Sequence, residues 1–550
     1  MTADLGIPEP ALAASSPIDR DEGPTYVLAG RIVTMEGDPA TPAGRVVDDG
    51  RLVIDRGRVV AVVDHGAGEP VPAAHATAPV HVTGGTIYPG LVDLHNHFVY
   101  NVLPLWKVPR LYRNRTQWPR AEGYPGGVTL PVRALAEDPD TAKALVRYVE
   151  AKALVGGTTT GQGIRTRVNG GPRLFQGAMR NLEETGDPAL PEAGTRVPNL
   201  FVNPENVASF RRSLDTRTAY MYHLAEGIDD NARRTFTDLA DNGLLAVSLV
   251  GIHCLGLAPD DLAALASAGA KAVWSPFSNL LLYGETVDLA ALADAGVPFA
   301  LGCDWSPTGS KNLLQELKVA RWVVEQQGAP LSDADLVRAV TAGAAGAVGW
   351  GDALGTLTPG AYADVLVVAG DGGDPYTTLV DATERDVELV VVHGLPRYGT
   401  RQLLRAVVAG DDRALAAVED VEVAGRRRAF LLRAPGSGID DVTWAEAGDR
   451  LREAMADLPG FRQRSEEAGR LAGDMPAPFE VELDMEWAPT PDDLIDGDLR
   501  PAALAADWTL LAESLPLDPA EVGADDYWER VHGQPNLGPD LPDVLERSYG

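Results

Sequence analysis

His95 and His97 are the residues of this chain whose types and spacing point most directly to chemistry. They stand two positions apart, immediately after the apolar run 86–94. On an extended strand the side chains at i and i+2 leave the same face, so both imidazoles can bind one ion. Imidazole is a common zinc ligand, but two histidines at a strand end can also be merely exposed. The pair indicates a metal site only if further ligands reach it.

Three further polar residues also follow apolar, strand-like segments. They are His223, His253 and Asp304. Each has an ordinary alternative, because His223 could be a surface residue, His253 could be a satisfied core residue and Asp304 could cap a helix that begins near residue 310. Chance placement of all of them behind buried strands is a poor explanation. We therefore treat the set as candidate site residues.

Short apolar strands alternate with helical stretches, such as 261–268 and 286–295, between residues 86 and 345. This alternation is typical of βα units around a parallel sheet. In a (β/α)8 barrel the C-terminal strand ends meet at one mouth, where catalytic residues gather. The pattern predicts a TIM-like (β/α)8 barrel with a metal site built from His95, His97, His223 and Asp304.

Several motifs together resemble the amidohydrolase superfamily, specifically its mononuclear branch with cytosine deaminase, guanine deaminase and the triazine hydrolases. Their order and spacing fit that family over roughly residues 24–405. The motifs are Pro-Gly-Leu-Val-Asp-Leu-His-Asn-His at 89–97, His-Leu-Ala-Glu at 223–226, His253, Ser-Pro-Phe-Ser-Asn at 275–279 and Leu-Gly-Cys-Asp at 301–304. The resemblance implies that the first two histidines, His223 and Asp304 bind the metal, while Glu226 and His253 act on the substrate.

The donor set also fits this chemistry directly. A catalytic ion needs neutral imidazoles and a carboxylate with one position left for water, whose pKa then falls to roughly 7. Glu226 is the expected proton shuttle, and His253 would polarise the attacked carbon or stabilise its oxyanion. Asp304 is expected both to bind the metal and to orient the nucleophile. Glu226 could instead be an ordinary carboxylate at a helix N-terminus.

One divalent ion is expected, with zinc as the prediction and iron, manganese or cobalt as alternatives that the same ligands accept. Binuclear relatives commonly use a carboxylated lysine, and the chain has no lysine between Lys152 and Lys271. A glutamate bridge, for instance from Glu205, is the remaining route to a two-metal site.

The predicted function is that of a hydrolase acting on a carbon–nitrogen bond other than a peptide bond. Metal-bound hydroxide would attack an sp² carbon of a small, cyclic substrate, and deamination of an amino-heterocycle is the principal hypothesis. Hydrolysis of a cyclic or acyl amide needs the same residues and stays an alternative, as does carbon–halogen cleavage. A non-catalytic oligomeric scaffold of the same fold is the alternative from another functional class.

The flanks predict a small β-sandwich made from both sides of the barrel segment. The expected organisation is an N-terminal tail at 1–23, sandwich parts at 24–85 and 346–405, the barrel at 86–345 and an extension of unknown role at 406–550. Residues 24–85 contain short β segments between turn residues, and two more apolar segments follow the barrel.

The segment 98–139 is rich in aromatic and arginine side chains. A long loop at the catalytic face of a barrel is a natural lid or specificity element, although its aromatics could equally pack on the barrel rim. The candidate substrate-binding residues are Trp106, Gln162, Arg165 and Asn279.

Composition restricts the partners. The net charge of −32 and the pI near 4.6 disfavour nucleic acid and anionic membranes, which demand basic surfaces. A small molecule is the expected partner, and the chain is expected to be a cytoplasmic homo-oligomer. No secretory signal or membrane span is evident. Cys254 and Cys303 give no disulfide framework and are expected to be buried core residues.

Overall fold

The apolar segments that precede the candidate site residues fold as short parallel strands. The computed structural model describes residues 23–37, 44–164, 166–168, 177–472, 479–481, 483, 485, 506–524 and 526–550. The central strands are β5 (Leu91–Asp93), β6 (Thr158–Gly161), β7 (Thr166–Val168), β8 (Arg180–Asn181), β9 (Gly194–Arg196), β10 (Tyr220–Leu224), β11 (Leu249–His253), β12 (Lys271–Trp274) and β13 (Phe299–Leu301).

All of these strands except β7 belong to two parallel sheets, which run β5-β6-β8 and β9-β10-β11-β12-β13. Backbone hydrogen bonds connect the sheets at both junctions. Beside β8 and β9, Ala193 N donates to Leu182 O at 2.9 Å. Just beyond β5 and β13, Asp304 N donates to His95 O at 2.9 Å, and His97 N donates to Asp304 O at 2.7 Å. The ends of the first and last central strands are therefore adjacent.

Helices follow the strands and begin where the sequence supplies caps. Asn203, Asp229, Asp288 and Asn312 each accept a hydrogen bond from the backbone N–H three residues later, which satisfies one of the free donors of a helix N-terminus. The helices of this region are α1 (Leu130–Ala136), α2 (Pro139–Val155), α3 (Pro204–Thr216), α4 (Asp230–Asp241), α5 (Pro259–Ser267), α6 (Pro276–Tyr283), α7 (Leu289–Ala295), α8 (Leu313–Gln327), α9 (Asp333–Ala339) and α10 (Ala342–Ala347). Helix α8 is capped by Asn312, so the alternative that Asp304 caps it is wrong.

The two flanks of the chain pair in one continuous nine-stranded sheet, in the order β17-β18-β16-β15-β14-β4-β1-β2-β3. It takes in residues beyond the boundaries predicted at 85 and 405, since β4 continues to Pro89 and the last strands follow residue 405. Its strands are β1 (Tyr26–Val33), β2 (Val46–Asp55), β3 (Arg58–Asp64), β4 (Val80–Pro89), β14 (Val365–Ala369), β15 (Val387–Val392), β16 (Leu395–Thr400), β17 (Glu419–Val423) and β18 (Arg426–Phe430).

The C-terminal part packs on the outside of the central region. The Tyr148 ring in α2 stacks on Trp444 with centroids 4.6 Å apart, and Arg147 Nε donates to Val442 O at 2.9 Å. The predicted helix at 444–458 is observed as α14. The remaining elements are α11 (Pro375–Asp381), α12 (Arg401–Val407), α13 (Asp412–Ala416), α14 (Trp444–Ala456), α15 (Leu458–Ala472), β19 (Phe479–Val481), which pairs with β7, α16 (Tyr527–His532) and α17 (Leu541–Tyr549).

Within the described part of the chain, none of the helices combines the length and the apolar character that crossing a bilayer requires. Both cysteines are free and buried, as the sequence predicted.

The two halves of the flanking sheet meet at Gly57, in the turn between β2 and β3. Gly57 has a φ of +76°, and a methyl group there would overlap the ring of His393, which lies in the turn between β15 and β16. Gly68 has a similar φ of +82° but open space around it. Positive φ disfavours alanine at both positions. An alanine at position 57 would in addition cause a steric conflict between the flanks, which an alanine at position 68 would not.

We expect Gly57→Ala to lower the free energy of unfolding by about 1–3 kcal/mol more than Gly68→Ala, the range typical of overpacking. Denaturant unfolding of the two variants and the wild type measures the difference. Equal losses in the two variants would mean that the β2–β3 turn does not pack against the β15–β16 turn.

Candidate active site

Four histidines gather at the C-terminal ends of the central strands. The His95 ring centroid lies 5.0 Å from that of His97, 4.9 Å from that of His223 and 5.0 Å from that of His253. All of these side chains are buried, His223 being the most exposed at 3%. The imidazoles lie at the ends of β5, β10 and β11. The packing of distant strands, and not a local segment of the chain, therefore brings them together.

Asp304 joins this cluster from the end of β13. Its Oδ1 lies 3.1 Å from His95 Nε2 and 3.4 Å from His97 Nε2, while Oδ2 accepts a hydrogen bond from Ser278 Oγ at 2.6 Å. Burial alone would raise the pKa of Asp304, but the nearby histidines, His95 above all, hold it well below its usual value. The carboxylate is therefore ionised, as a metal ligand must be.

The backbone bends sharply where several of these residues sit. Asp304 has a φ of 66°, His253 a φ of 70°, and Ala225, which precedes Glu226, a φ of 49°. Non-glycine residues rarely adopt this left-handed region, and such strain persists mostly at functional sites. The bends turn the side chains from the strands toward the shared cluster.

The cluster has the donors that a divalent ion requires. Two overlapping triads have ligand atoms within 4.8 Å of one another, namely His95, His223 and His253, and His95, His97 and Asp304. Among the described residues, Nδ1 of His95 and Nδ1 of His223 have no hydrogen-bond partner. Burial, followed by the charge of Arg115, holds the pKa of His223 well below its usual value, so its imidazole is neutral. Neutral buried imidazoles beside a carboxylate fit a metal ion.

Glu226 lies at the edge of the cluster and is held by two side chains. Tyr283 Oη donates to its Oε1 at 2.7 Å, and Arg115 Nε lies 3.0 Å from its Oε2. The same Oε2 is 3.7 Å from His253 Nε2. The carboxylate therefore faces the imidazoles with a fixed orientation, which is what a group that moves protons at one point needs.

The imidazole of His253 is oriented from behind by Asn279. Its Nδ1 is 3.0 Å from Asn279 Oδ1, and Asn279 Nδ2 donates to Thr286 Oγ1 at 3.2 Å, which fixes the amide with its oxygen toward the ring. His253 Nδ1 is then the donor, so Nε2 faces Glu226. Burial lowers the pKa of His253, although Glu226 and Asp304 oppose that effect.

The predicted substrate-binding residues occupy supporting positions in the described structure. Gln162 Oε1 accepts from Asn96 N at 3.0 Å, and Asn279 is fully buried behind His253. The Trp106 ring packs against Tyr124 with centroids 5.3 Å apart. Arg165 lies outside the described residues. Their roles toward a substrate stay predictions. Glu205 is exposed in the first turn of α3, so it does not join the buried cluster and cannot provide the bridge suggested for it.

Asp93 is a site residue that the sequence reasoning missed. Its Oδ1 accepts from His95 N at 3.3 Å and from Cys303 N at 3.2 Å, while Oδ2 accepts from Asn96 Nδ2 at 2.9 Å. Burial raises the pKa of Asp93 to about 6. This carboxylate ties the segment of His95 to that of Asp304. The signal in the sequence was an acidic residue inside an otherwise apolar strand, two positions before the first histidine.

An aromatic cluster lies next to the histidines and was only partly expected. The Trp305 ring lies 5.5 Å from the His97 ring, centroid to centroid, and packs against Tyr100, Trp118 and Tyr124 from the long loop that follows β5. Trp118 Nε1 donates to Tyr283 Oη at 3.1 Å, which connects the loop to the partner of Glu226. The loop is therefore packed beside the site, as the rim-packing alternative also predicts, and its role as a lid or specificity element stays a prediction.

Known proteins match the chain over much of its length. The Amidohydrolase family model matches residues 208–396. A 5-methylthioadenosine/S-adenosylhomocysteine deaminase from Syntrophobacter fumaroxidans is 26% identical over 431 residues, which cover 69% of this chain and 93% of the relative. An imidazolonepropionase from Halobacterium salinarum is 30% identical over 370 residues, covering 58% of this chain and 85% of the relative.

A solved structure shares the fold. An adenosine deaminase from Xanthomonas campestris, determined with bound zinc, superposes with a TM-score of 0.50 at 20% identity and covers 70% of this chain and 97% of its own.

We expect His223→Ala and Asp304→Ala to lower zinc affinity by more than about tenfold, because loss of a ligand should cost more than loss of its supporting contact. Metal analysis of the purified variants after equilibration with zinc measures this. His532→Ala is the matched control, since His532 lies in α16 and pairs with Glu546 away from the cluster. Unchanged zinc binding in both ligand variants would exclude the cluster as the metal centre.

Proposed function

This chain belongs to the amidohydrolase family, and from that premise we propose that it hydrolytically deaminates an amino-substituted heterocycle. It is a hydrolase of carbon–nitrogen bonds other than peptide bonds. The observation that carries the proposal is the buried cluster in which Glu226 and His253 face the ligand histidines and Asp304. The matched relative named as a 5-methylthioadenosine/S-adenosylhomocysteine deaminase supports an aminated ring as the substrate.

We propose that His95, His97, His223 and Asp304 hold one divalent ion, with zinc favoured by the nitrogen-rich donor set and by the zinc-bound structural relative. His253 also lies within ligand reach through Nε2, and we assign it to the substrate because that atom faces Glu226 Oε2. When bound, the ion lowers the pKa of a coordinated water to roughly 7 and supplies a nucleophile at neutral pH.

Glu226 is assigned the proton transfers. Its Oε2 would take one proton from the attacking water and pass it to the ring nitrogen, and would then pass the remaining hydroxyl proton to the leaving nitrogen, so the amino group departs as ammonia and the carbon keeps the oxygen as a carbonyl. Tyr283 and Arg115 keep this carboxylate in place, because each contacts a different oxygen. Oε2 also faces His253. Glu226, which moves the protons, therefore lies beside the residue that is assigned to stabilise the developing oxyanion.

His253 is assigned the electrostatic role. With Asn279 accepting from Nδ1, the Nε2 atom points into the cluster beside Glu226 Oε2, and a proton held at Nε2 during the attack would stabilise an oxyanion on the attacked carbon. Asp304 orients the nucleophile through the oxygen near His95 and His97, since its other oxygen is occupied by Ser278.

The finer description of the fold is part of the proposal. We propose that the eight parallel strands of the two central sheets close into the predicted barrel, supported by the backbone hydrogen bonds at both junctions. We also propose that the nine-stranded sheet folds onto itself as the small β-sandwich. Tyr26 Oη in β1 donates to Gly394 O at 3.1 Å, and Gly57 lies against His393, so strands distant in the sheet order meet.

A second candidate function is the hydrolytic opening of a cyclic amide. The matched imidazolonepropionase supports it, and the same ligands, proton shuttle and oxyanion contact would serve. The two reactions differ in their products, because only deamination releases ammonia. The scaffold alternative predicts neither product.

We expect the zinc-loaded chain to release ammonia from at least one member of a panel of aminated purines, pyrimidines and triazines. Ammonia and the loss of substrate absorbance are measured together. One ammonia released for each substrate molecule lost supports deamination. Loss of cyclic-amide absorbance without ammonia supports ring opening. A chain that holds zinc but turns over neither class would favour the scaffold.

We expect Glu226→Gln to keep its zinc and to lose turnover by about 10²–10⁴-fold, because only proton transfer is removed. Zinc content and steady-state rates on the substrate found above measure the two effects. Glu325→Gln, at an exposed position in α8, is the matched control and should behave like the wild type. Turnover within a few-fold of wild type would remove Glu226 from the assigned role.

A further inference from the structure

The C-terminal extension places a buried carboxylate between two buried lysines of the central region. Asp518 Oδ1 lies 2.9 Å from Lys311 Nζ, and its Oδ2 accepts a hydrogen bond from Lys152 Nζ. Asp518 is 2% exposed, Lys152 1% and Lys311 4%. Among the described residues, Asp518 is the one carboxylate within ion-pair distance of these ammonium groups.

Lys152 extends this ion pair toward the metal-binding segments. Its Nζ donates to Asn101 O at 2.7 Å and to Ser306 Oγ at 2.9 Å. Asn101 Oδ1 accepts from Ser306 N at 2.7 Å, and Asn101 Nδ2 donates to Asn96 Oδ1 at 2.9 Å. Asn96 stands between the paired histidines, and Ser306 follows Asp304 by two positions. One ammonium group therefore connects the segments that leave β5 and β13.

The electrostatics make Asp518 indispensable to this connection. Burial lowers the pKa of Lys152 to about 8, Asp518 opposes that effect, and Lys311 adds to it. Without the carboxylate, two like charges would share a buried space, and removing one partner of a buried ion pair leaves an uncompensated charge. Lys152 would then lose its proton or move away from Asn101 and Ser306.

The position of Asp518 is itself fixed by backbone contacts. Its N–H donates to Val102 O at 2.8 Å, and its carbonyl accepts from Tyr148 Oη at 2.8 Å. Lys311 Nζ also lies 3.3 Å from the carbonyl oxygens of Pro519 and Glu521. The extension is therefore attached on both sides of the carboxylate.

We infer that Asp518 is a positioning residue of the metal centre, which acts through Lys152 on Asn101 and Ser306 and thereby holds the segments of His97 and Asp304. The inference rests on the proposed metal centre and not on which substrate is hydrolysed. It gives the extension a role in the site, although Asp518 touches none of the ligand side chains.

The test measures how fast the zinc-loaded, full-length chain loses zinc to an excess of a chromogenic chelator. We expect Asp518→Asn to lose zinc at least about tenfold faster than the wild type, as changes in contacts that support metal ligands commonly do. Asp526→Asn is the matched control, because Asp526 lies in the same extension and forms an exposed ion pair with Arg530. Its rate should equal that of the wild type.

A charge-balanced variant separates this role from a general loss of structure. Asp518→Asn/Lys311→Met removes one cation with the carboxylate, so we expect zinc retention to return toward wild type. If Asp518→Asn does not fold, Lys152→Met and Lys311→Met give the same answer, because only the first removes the donor to Asn101 and Ser306. Lys152→Met should lose zinc faster, whereas Lys311→Met should stay close to wild type.

The outcomes distinguish the two proposals. If the wild type and Asp518→Asn hold zinc equally well, or Lys152→Met and Lys311→Met lose it equally fast, the inference is overturned while the proposed function stands. If the wild type binds no zinc, the proposed function fails and this inference fails with it. A failed ammonia assay alone leaves the zinc-release result and its meaning intact.

Discussion

The site depends on the backbone pairing between the end of β5 and the end of β13. Two hydrogen bonds between His95, His97 and Asp304 fix the carboxylate beside the paired imidazoles, and Asp93 strengthens the connection by accepting N–H donors from both segments. Coordination chemistry requires ligands placed to within fractions of an ångström. The main-chain contact between the first and last strands provides that placement, because few rotatable bonds then lie between the imidazoles and the carboxylate.

Burial of the cluster also influences the charge state of its side chains. Loss of solvent lowers the pKa of His223 and of His253, while the neighbouring histidines, His95 above all, hold the pKa of Asp304 below its usual value. Such a set is costly to bury unless the charges are compensated. A cation among these groups would supply that compensation, which is the electrostatic argument for the proposed metal ion.

The candidate residues of this site could be predicted from sequence because they occupy the same place in a repeated local pattern. His223, His253 and Asp304 each follow a short apolar strand, and a parallel sheet brings such positions together. The supporting contacts had no local pattern. Lys152 and Asp518 are separated by 366 residues, and nothing near either residue indicates that they meet. Asn279 and Gln162 were recognised as polar site candidates, but their partners depend on packing between elements, and so their orientation could not be predicted.

The left-handed backbone at Asp304 narrows the sequences that this position can accept. At a φ of 66° a side chain that branches at Cβ clashes with its own main chain, whereas asparagine and glycine fit. Neither of those keeps a negative charge. Glutamate keeps the charge, but its additional methylene group would displace the carboxylate from His95 and Ser278. Aspartate is thus the sole acidic residue suited to both demands, and a library randomised at this codon should return it alone among active clones.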